Sequence, residues 1–179
     1  MPILVPVGIV LLIIIIIFMA EKNKFIRLSN NIRNSKSSID VYLKQRFDLI
    51  PNLVETVKGY AKHEENLFKE VVEARNKYNQ TESLEDGMIT NNDLNKLIAL
   101  KEAYPELKAN ENFLDLQKQL SKMESQLQAA RRVYNSEVNT YNNAVMTVPS
   151  GWFAKLYGYK EEIYFEAKEQ EKENIEIKM

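Results

Sequence analysis

Three charged residues stand where apolar ones are expected, and they are the first candidates for chemistry. Arg46, Glu64 and Glu137 fall on seams of apolar residues that recur every three or four positions. An unpaired carboxylate withdrawn from water costs several kcal/mol, so each must be partnered, protonated or near an edge. A carboxylate-bridged metal pair would need a Glu-x-x-His on each of two helices and a Glu from each of two others. The chain has one histidine, His63, and it adjoins Glu64. Neighbouring residues point about 100° apart on a helix, so these two cannot face one ion in that way. Nucleophilic chemistry fares no better, with a single imidazole, no cysteine and no serine in an elbow context. The glycines stand alone, which leaves no phosphate-binding loop. These residues therefore predict a structural polar network of Arg46, Asp48, Glu64, Arg75, Arg131 and Glu137, with no catalytic residue, cofactor or metal. Counting from the starts of the second and fourth helices, which run parallel in an up-down order, pairs Arg75 with Glu137 and levels Glu64 with Glu124. Arg46 falls at the end away from the membrane, against the loop at Asn110 and Glu111. A metal- or ligand-binding sensor, or an enzyme using the same seam residues, is the alternative.

Two further groups invite a functional reading. Asn135 and Asn142 lie beside seam tyrosines Tyr134 and Tyr141, which predicts interhelical hydrogen bonds that fix register. Trp152, Phe153, Lys155, Leu156 and Tyr157, with Tyr159 and Lys160, form an aromatic, basic segment after the last long helix. Aromatic rings favour the interfacial zone of a bilayer and cations its headgroups, so this is a candidate membrane-surface contact. The alternative is that the rings cap the protein's own core.

The elements that must position these residues begin with an apolar segment. Ile3 to Ala20 contains no charged residue and includes the unbroken run Ile13 to Ile17. As a helix it would be roughly 27 Å long, near the hydrocarbon thickness of a bilayer. No Lys or Arg precedes it, whereas Lys22, Lys24, Arg27, Arg33 and Lys36 follow, so the N-terminus is expected outside and the rest in the cytoplasm. A cleaved signal would carry a basic start, a shorter core and small residues before the cut. A buried core helix would need a larger and less polar domain around it. From Glu21 to Arg46 there are seven basic and two acidic residues, a net of +5; from Phe47 onward, 17 basic and 23 acidic give −6. The basic collar suits anionic headgroups, and the acidic remainder argues against nucleic acid.

The domains expected are an anchor at 1–20, a helical bundle at 21–148, an aromatic amphipathic segment at 149–165 and a charged tail at 166–179. Helical period governs the bundle throughout. The first helix runs out of the anchor to a turn at Arg46–Pro51, where Asp48 is a credible cap. A second helix is predicted from Ile50 to Tyr78, a polar loop from Gln80 to Asn92, and a short helix from Thr90 to Tyr104. The last helix is predicted from Glu111 to Val148. Short connections between amphipathic helices favour antiparallel neighbours, so the fold class is all-α, an up-down four-helix-bundle-like domain.

Several strings carry a resemblance. They are 45–57 (QRFDLIPNLVETV), 60–64 (YAKHE), 73–75 (EAR), 104–110 (YPELKAN), 130–135 (ARRVYN), Tyr141-Asn142 and Pro149-Ser150. In this order they resemble the LemA family of bacterial membrane-anchored helical proteins, over essentially the whole chain. The resemblance implies a bundle-like domain behind a short extracytoplasmic N-terminus, and it implies no assigned biochemical role. Phe47 departs from the polar residue or His often found there, which speaks against a catalytic site. The function expected is a non-enzymatic scaffold or adaptor at the cell membrane. Its partners would be the bilayer and either another protein or a second copy, with no nucleic acid or small-molecule substrate. A membrane-shaping oligomer is a further alternative.

Overall fold

The computed structural model describes residues 4–165, with side chains from Pro6 onward. The expected charged tail at 166–179 lies outside the described residues. Seven α-helices and one 3-10 turn follow one another, and no strand occurs among the described residues. They are α1 (Leu4–Phe47), α2 (Ile50–Lys58), α3 (Glu65–Thr81), α4 (Leu84–Ala99), the 3-10 turn Leu100–Glu102, α5 (Pro105–Lys108), α6 (Glu111–Met146) and α7 (Ser150–Tyr157). The chain is an all-α helical bundle that divides into two compact units. One comprises residues 1–36 and 131–179, the other 37–130.

In the second unit, the helical period places Ile39, Leu43 and Phe47 of α1 in a common core with Ile50, Leu53 and Val57 of α2. Phe68 and Val71 of α3, Leu94 and Leu97 of α4 and Phe113, Leu120 and Leu127 of α6 complete that core. Each such side chain contributes roughly 1.5–3 kcal/mol relative to full exposure. In the first unit, Phe25 of α1 packs edge-on to Tyr141 of α6 at 6.2 Å and stacks on Tyr159 at 4.8 Å.

The long helices end close to where periodicity sets them, at Phe47 and Met146. Between them the expectations need correction. The helix expected from Ile50 to Tyr78 breaks at residues 59–64. Gly59, with a helix propensity about 1 kcal/mol below alanine, caps α2. Tyr60 and Ala61 then both turn back onto the Val57 carbonyl at 2.9 Å. The polar loop expected from Gln80 to Asn92 is mostly helix. Ser83 caps α4 by accepting from the Asp86 N–H at 3.1 Å. Gly87 lies within α4 because a Cβ there would stand 2.9 Å from Leu43 Cδ1 and 3.2 Å from Tyr78 Cε2. It is a glycine of close approach, which composition alone reads as a turn. Thr90, expected near a helix start, is buried in α4 and donates to the Asp86 carbonyl at 2.8 Å. Asp48 does not cap α2; its N-cap is Leu49, with no side-chain hydrogen bond.

Among the described residues, no helix is long and apolar enough along its length to cross a membrane. In α1 the charge-free part described as helical runs from Leu4 to Ala20, and Glu21, Lys22 and Lys24 follow. Its large side chains from Val7 to Met19, isoleucine, leucine, valine, phenylalanine and methionine, are nevertheless exposed.

Candidate functional site

Three arrangements hold the polar and aromatic residues singled out by sequence. The first is built on Arg46, which is 3% exposed. One guanidinium nitrogen donates to Asn91 of α4 and meets the Glu124 carboxylate of α6. The other donates to Asn95 at 2.9 Å. The planar fork of arginine suits such convergence, since it presents several donors in a fixed geometry. Arg46 was expected to clamp the loop at Asn110 and Glu111; it clamps α1, α4 and α6 instead. Asn91 and Asn95, one helical turn apart, were not foreseen, although their i, i+4 spacing opposite a buried arginine could have flagged them.

The other network residues have different partners from those predicted. Arg75 donates to the Phe47 carbonyl at 2.9 Å and lies 3.6 Å from the Asp48 carboxylate. Glu137 accepts from Asn31 at 3.2 Å, within the first unit. Each was expected to pair with the other, and each has these partners within its own unit. Glu64, at the head of α3, accepts from the Tyr104 hydroxyl at 3.4 Å and is half-buried, not a seam residue level with Glu124. The breaks at residues 59–64 and 100–104 explain these misses, because counting heights assumes uninterrupted helices. Asn110 holds the start of α6, accepting from the Phe113 N–H and donating to the Tyr60 hydroxyl, both at 2.9 Å. Beside it lies an open polar cleft of about 570 Å³, whose lining includes Glu55, Tyr60 and Asp115.

The second arrangement is a track on α6. Asn142, buried, donates to the Glu162 carbonyl at 2.9 Å and accepts from the Glu162 N–H at 2.8 Å. Asn135 repeats the pattern with Phe165, donating at 3.0 Å and accepting at 2.8 Å. Tyr134 donates to the Ile163 carbonyl at 3.1 Å. Burial, and then the Glu162 carboxylate, holds the Tyr134 and Tyr141 hydroxyls above the ordinary phenol range. Seven helical residues span about 10.5 Å, and three residues reach that far only when nearly fully stretched, at about 3.3–3.6 Å each. The asparagines therefore grip an extended arm running antiparallel to α6. They were expected to join helices; what they hold is the backbone of a non-helical segment. Arg131, also buried, sits over the Phe165 ring at 4.6 Å, a cation–π contact.

The third arrangement is α7. Its start is buried, and Ser150 accepts from the Lys24 ammonium at 2.6 Å. Gly151 is required there, because a Cβ would lie 2.7 Å from the Val145 carbonyl oxygen. Phe153 packs edge-on to Phe18 of α1 at 5.0 Å, and the Tyr157 hydroxyl donates to the Phe18 carbonyl at 3.0 Å. These contacts seat α7 beside the end of the charge-free stretch. Trp152 and Leu156, at 66% and 65% exposed, cover no core, whereas Phe153 and Tyr157 are half-buried against α1. The left-handed Gly158, φ 76°, ends the helix.

Among the described residues there is no group of three or more His, Cys, Asp or Glu that could hold a metal ion. What geometry and composition define is an all-α helical-bundle protein with a run of exposed apolar side chains along the start of α1 and further ones on α7. The chain belongs to the LemA family, whose pattern matches residues 35–179. It is 23% identical over 165 residues to Protein LemA of Metamycoplasma hominis, covering 89% of this chain and 75% of that protein. It is also 23% identical to Magnetosome protein MamQ 2 of Paramagnetospirillum magneticum, covering 82% of this chain and 65% of that one. Magnetosome protein MamQ of Magnetospirillum gryphiswaldense is 24% identical over 176 residues, with the same coverage. The chain thus spans about two-thirds of each MamQ protein.

Proposed function

We propose that this protein is a non-enzymatic scaffold held at a membrane by the charge-free part of α1, with its bundle on the cytoplasmic side. The observation that carries the reading is the pairing of exposed apolar side chains on α1 with α7 at their end. A row of such side chains left in water forfeits about 25 cal/mol per Å². Seventeen helical residues reach about 26 Å, the short end of what spans a bilayer. A short span is accommodated by local thinning and by anchors at its flank, and α7 supplies them in Trp152, Lys155, Leu156 and Tyr157. The basic residues after Ala20 favour the cytoplasmic side and anionic headgroups. The partners proposed are the bilayer and either another protein or a second copy, reached through the polar outer faces of the bundle.

Trp152 is the sole tryptophan, so it reports depth directly. With the full chain reconstituted in vesicles, bromines near the headgroups should quench its fluorescence strongly and bromines at the acyl ends weakly. Emission untouched by bromine at any depth would remove α7 from the membrane surface and overturn the reading.

A further inference from the structure

The track on α6 reads a backbone and is almost indifferent to the side chains it carries. Both asparagines bond an N–H and a carbonyl of the same residue, and Tyr134 adds a third carbonyl. Glu161, Glu162 and Ile163 of the arm are exposed, Ile163 to 82%. Tyr159 stays with the body, stacked on Phe25 and donating its N–H to the Ala154 carbonyl, whereas residues 160–165 are held by a handful of hydrogen bonds, the Phe165–Arg131 contact and the Tyr164–Asn139 bond. Segments that bury so little apolar surface open first. The left-handed Gly158 and the seated Tyr159 set the arm's base, so the arm opens from residue 160 onward.

We propose that the arm, residues 160–165, exchanges into the α6 track of a second copy of this chain. The contact then becomes an interface between copies. Every bond made in one chain is available between two, because an exchanged element finds the same partners. What exchange adds is only the entropy of association, and neighbours sharing one bilayer meet at high effective concentration. That last point rests on the anchored reading; the complementarity of arm and track does not.

The Tyr164 hydroxyl donates to Asn139 Oδ1 at 3.2 Å, and the chain has no cysteine to interfere. Full-length chains carrying Asn139→Cys and differently tagged chains carrying Tyr164→Cys are co-expressed and treated with a short bismaleimide. We expect a mixed adduct. Adding Asn135→Ala and Asn142→Ala to the track-bearing chain should lower its yield by roughly tenfold, a net loss of a few hydrogen bonds. The same two substitutions in the arm-bearing chain should not lower it, because they free that arm from its own track. Phe165→Pro in the arm-bearing chain, which removes an N–H without touching α6, should also cut the yield. If a chain carrying both Asn139→Cys and Tyr164→Cys closes only on itself, or the mixed adduct ignores which chain carries the asparagine changes, exchange is refuted. If neither adduct forms, exchange falls together with the arm's seat on α6, while the Trp152 depth measurement stands apart from it.

Discussion

Arg46 and Asn142 are both sealed from water, 3% and 2% exposed, yet they hold opposite kinds of structure. Arg46 gathers side chains from three helices that already have their own hydrogen bonds and their own buried faces. Its charge must be neutralised where it stands, so Glu124, Asn91 and Asn95 converge on it. Asn142 is neutral, and its amide turns an N–H and a carbonyl oxygen toward the arm, the complement of a peptide unit. It therefore supplies an irregular segment with the partners a helix or sheet would have provided. One cluster locks regular elements together, whereas the other lets a segment without regular structure be held at all.

The sharpest way to break this contrast is Arg46→Ala. It strips buried Asn91, half-buried Glu124 and exposed Asn95 of their shared partner and empties the sealed space its own side chain fills. A loss on the order of 3 kcal/mol is expected in thermal or denaturant unfolding. Arg46→Lys should recover little, since a single ammonium cannot reproduce the fork. A loss below about 1 kcal/mol would reduce the cluster to a bystander.

Next in size is an alkaline effect centred on Tyr78 of the second unit. Burial, then the Asp40 and Glu82 carboxylates, pushes the Tyr78 hydroxyl up to about 12. Below about pH 10 both folded and unfolded chains keep this proton, and the contribution is fully present. Between about pH 10 and about 12 the unfolded chain ionises while the folded one resists, so stability should fall by about 2 kcal/mol as pH rises. Tyr78→Phe should remove that part of the fall in pH-dependent unfolding curves.

The smallest change in global stability is expected from Asn142→Leu, about 1 kcal/mol, because the arm is a local element. Its local signature should be larger. The Glu162 amide, protected by Asn142, should exchange with solvent roughly tenfold faster or more. Unchanged exchange at Glu162 would mean that the arm is held by something other than its amide ladder.

Sequence made some of this legible and hid the rest for physical reasons. The ends of α1 and α6 follow from an apolar period kept over many turns and from Pro51 and Pro149 beyond them. Arg46 was visible as a charge on an apolar seam, but its partners were not. They depend on heights along helices that Gly59 and the turn at Leu100–Glu102 interrupt. Gly87 misled because a glycine in close approach to Leu43 and Tyr78 carries the same letter as one required by a turn. Asn135 and Asn142 stood out, yet an extended arm has no periodicity, so nothing marked residues 160–165 as what they grip. The aromatic segment was placed near the end of the apolar stretch by topology alone, and Phe18 and Ser150 are the contacts that topology could not supply.

Gly151 shows how a missing atom can set an address. Its neighbour is a backbone carbonyl, which cannot rotate aside as a side-chain end can, so even one added methyl would displace the chain between α6 and α7. The lever so moved carries Phe153 and Tyr157 away from Phe18, and Trp152 with them. In a library randomised at this position, the variants lost should be those in which α7 folds but arrives elsewhere.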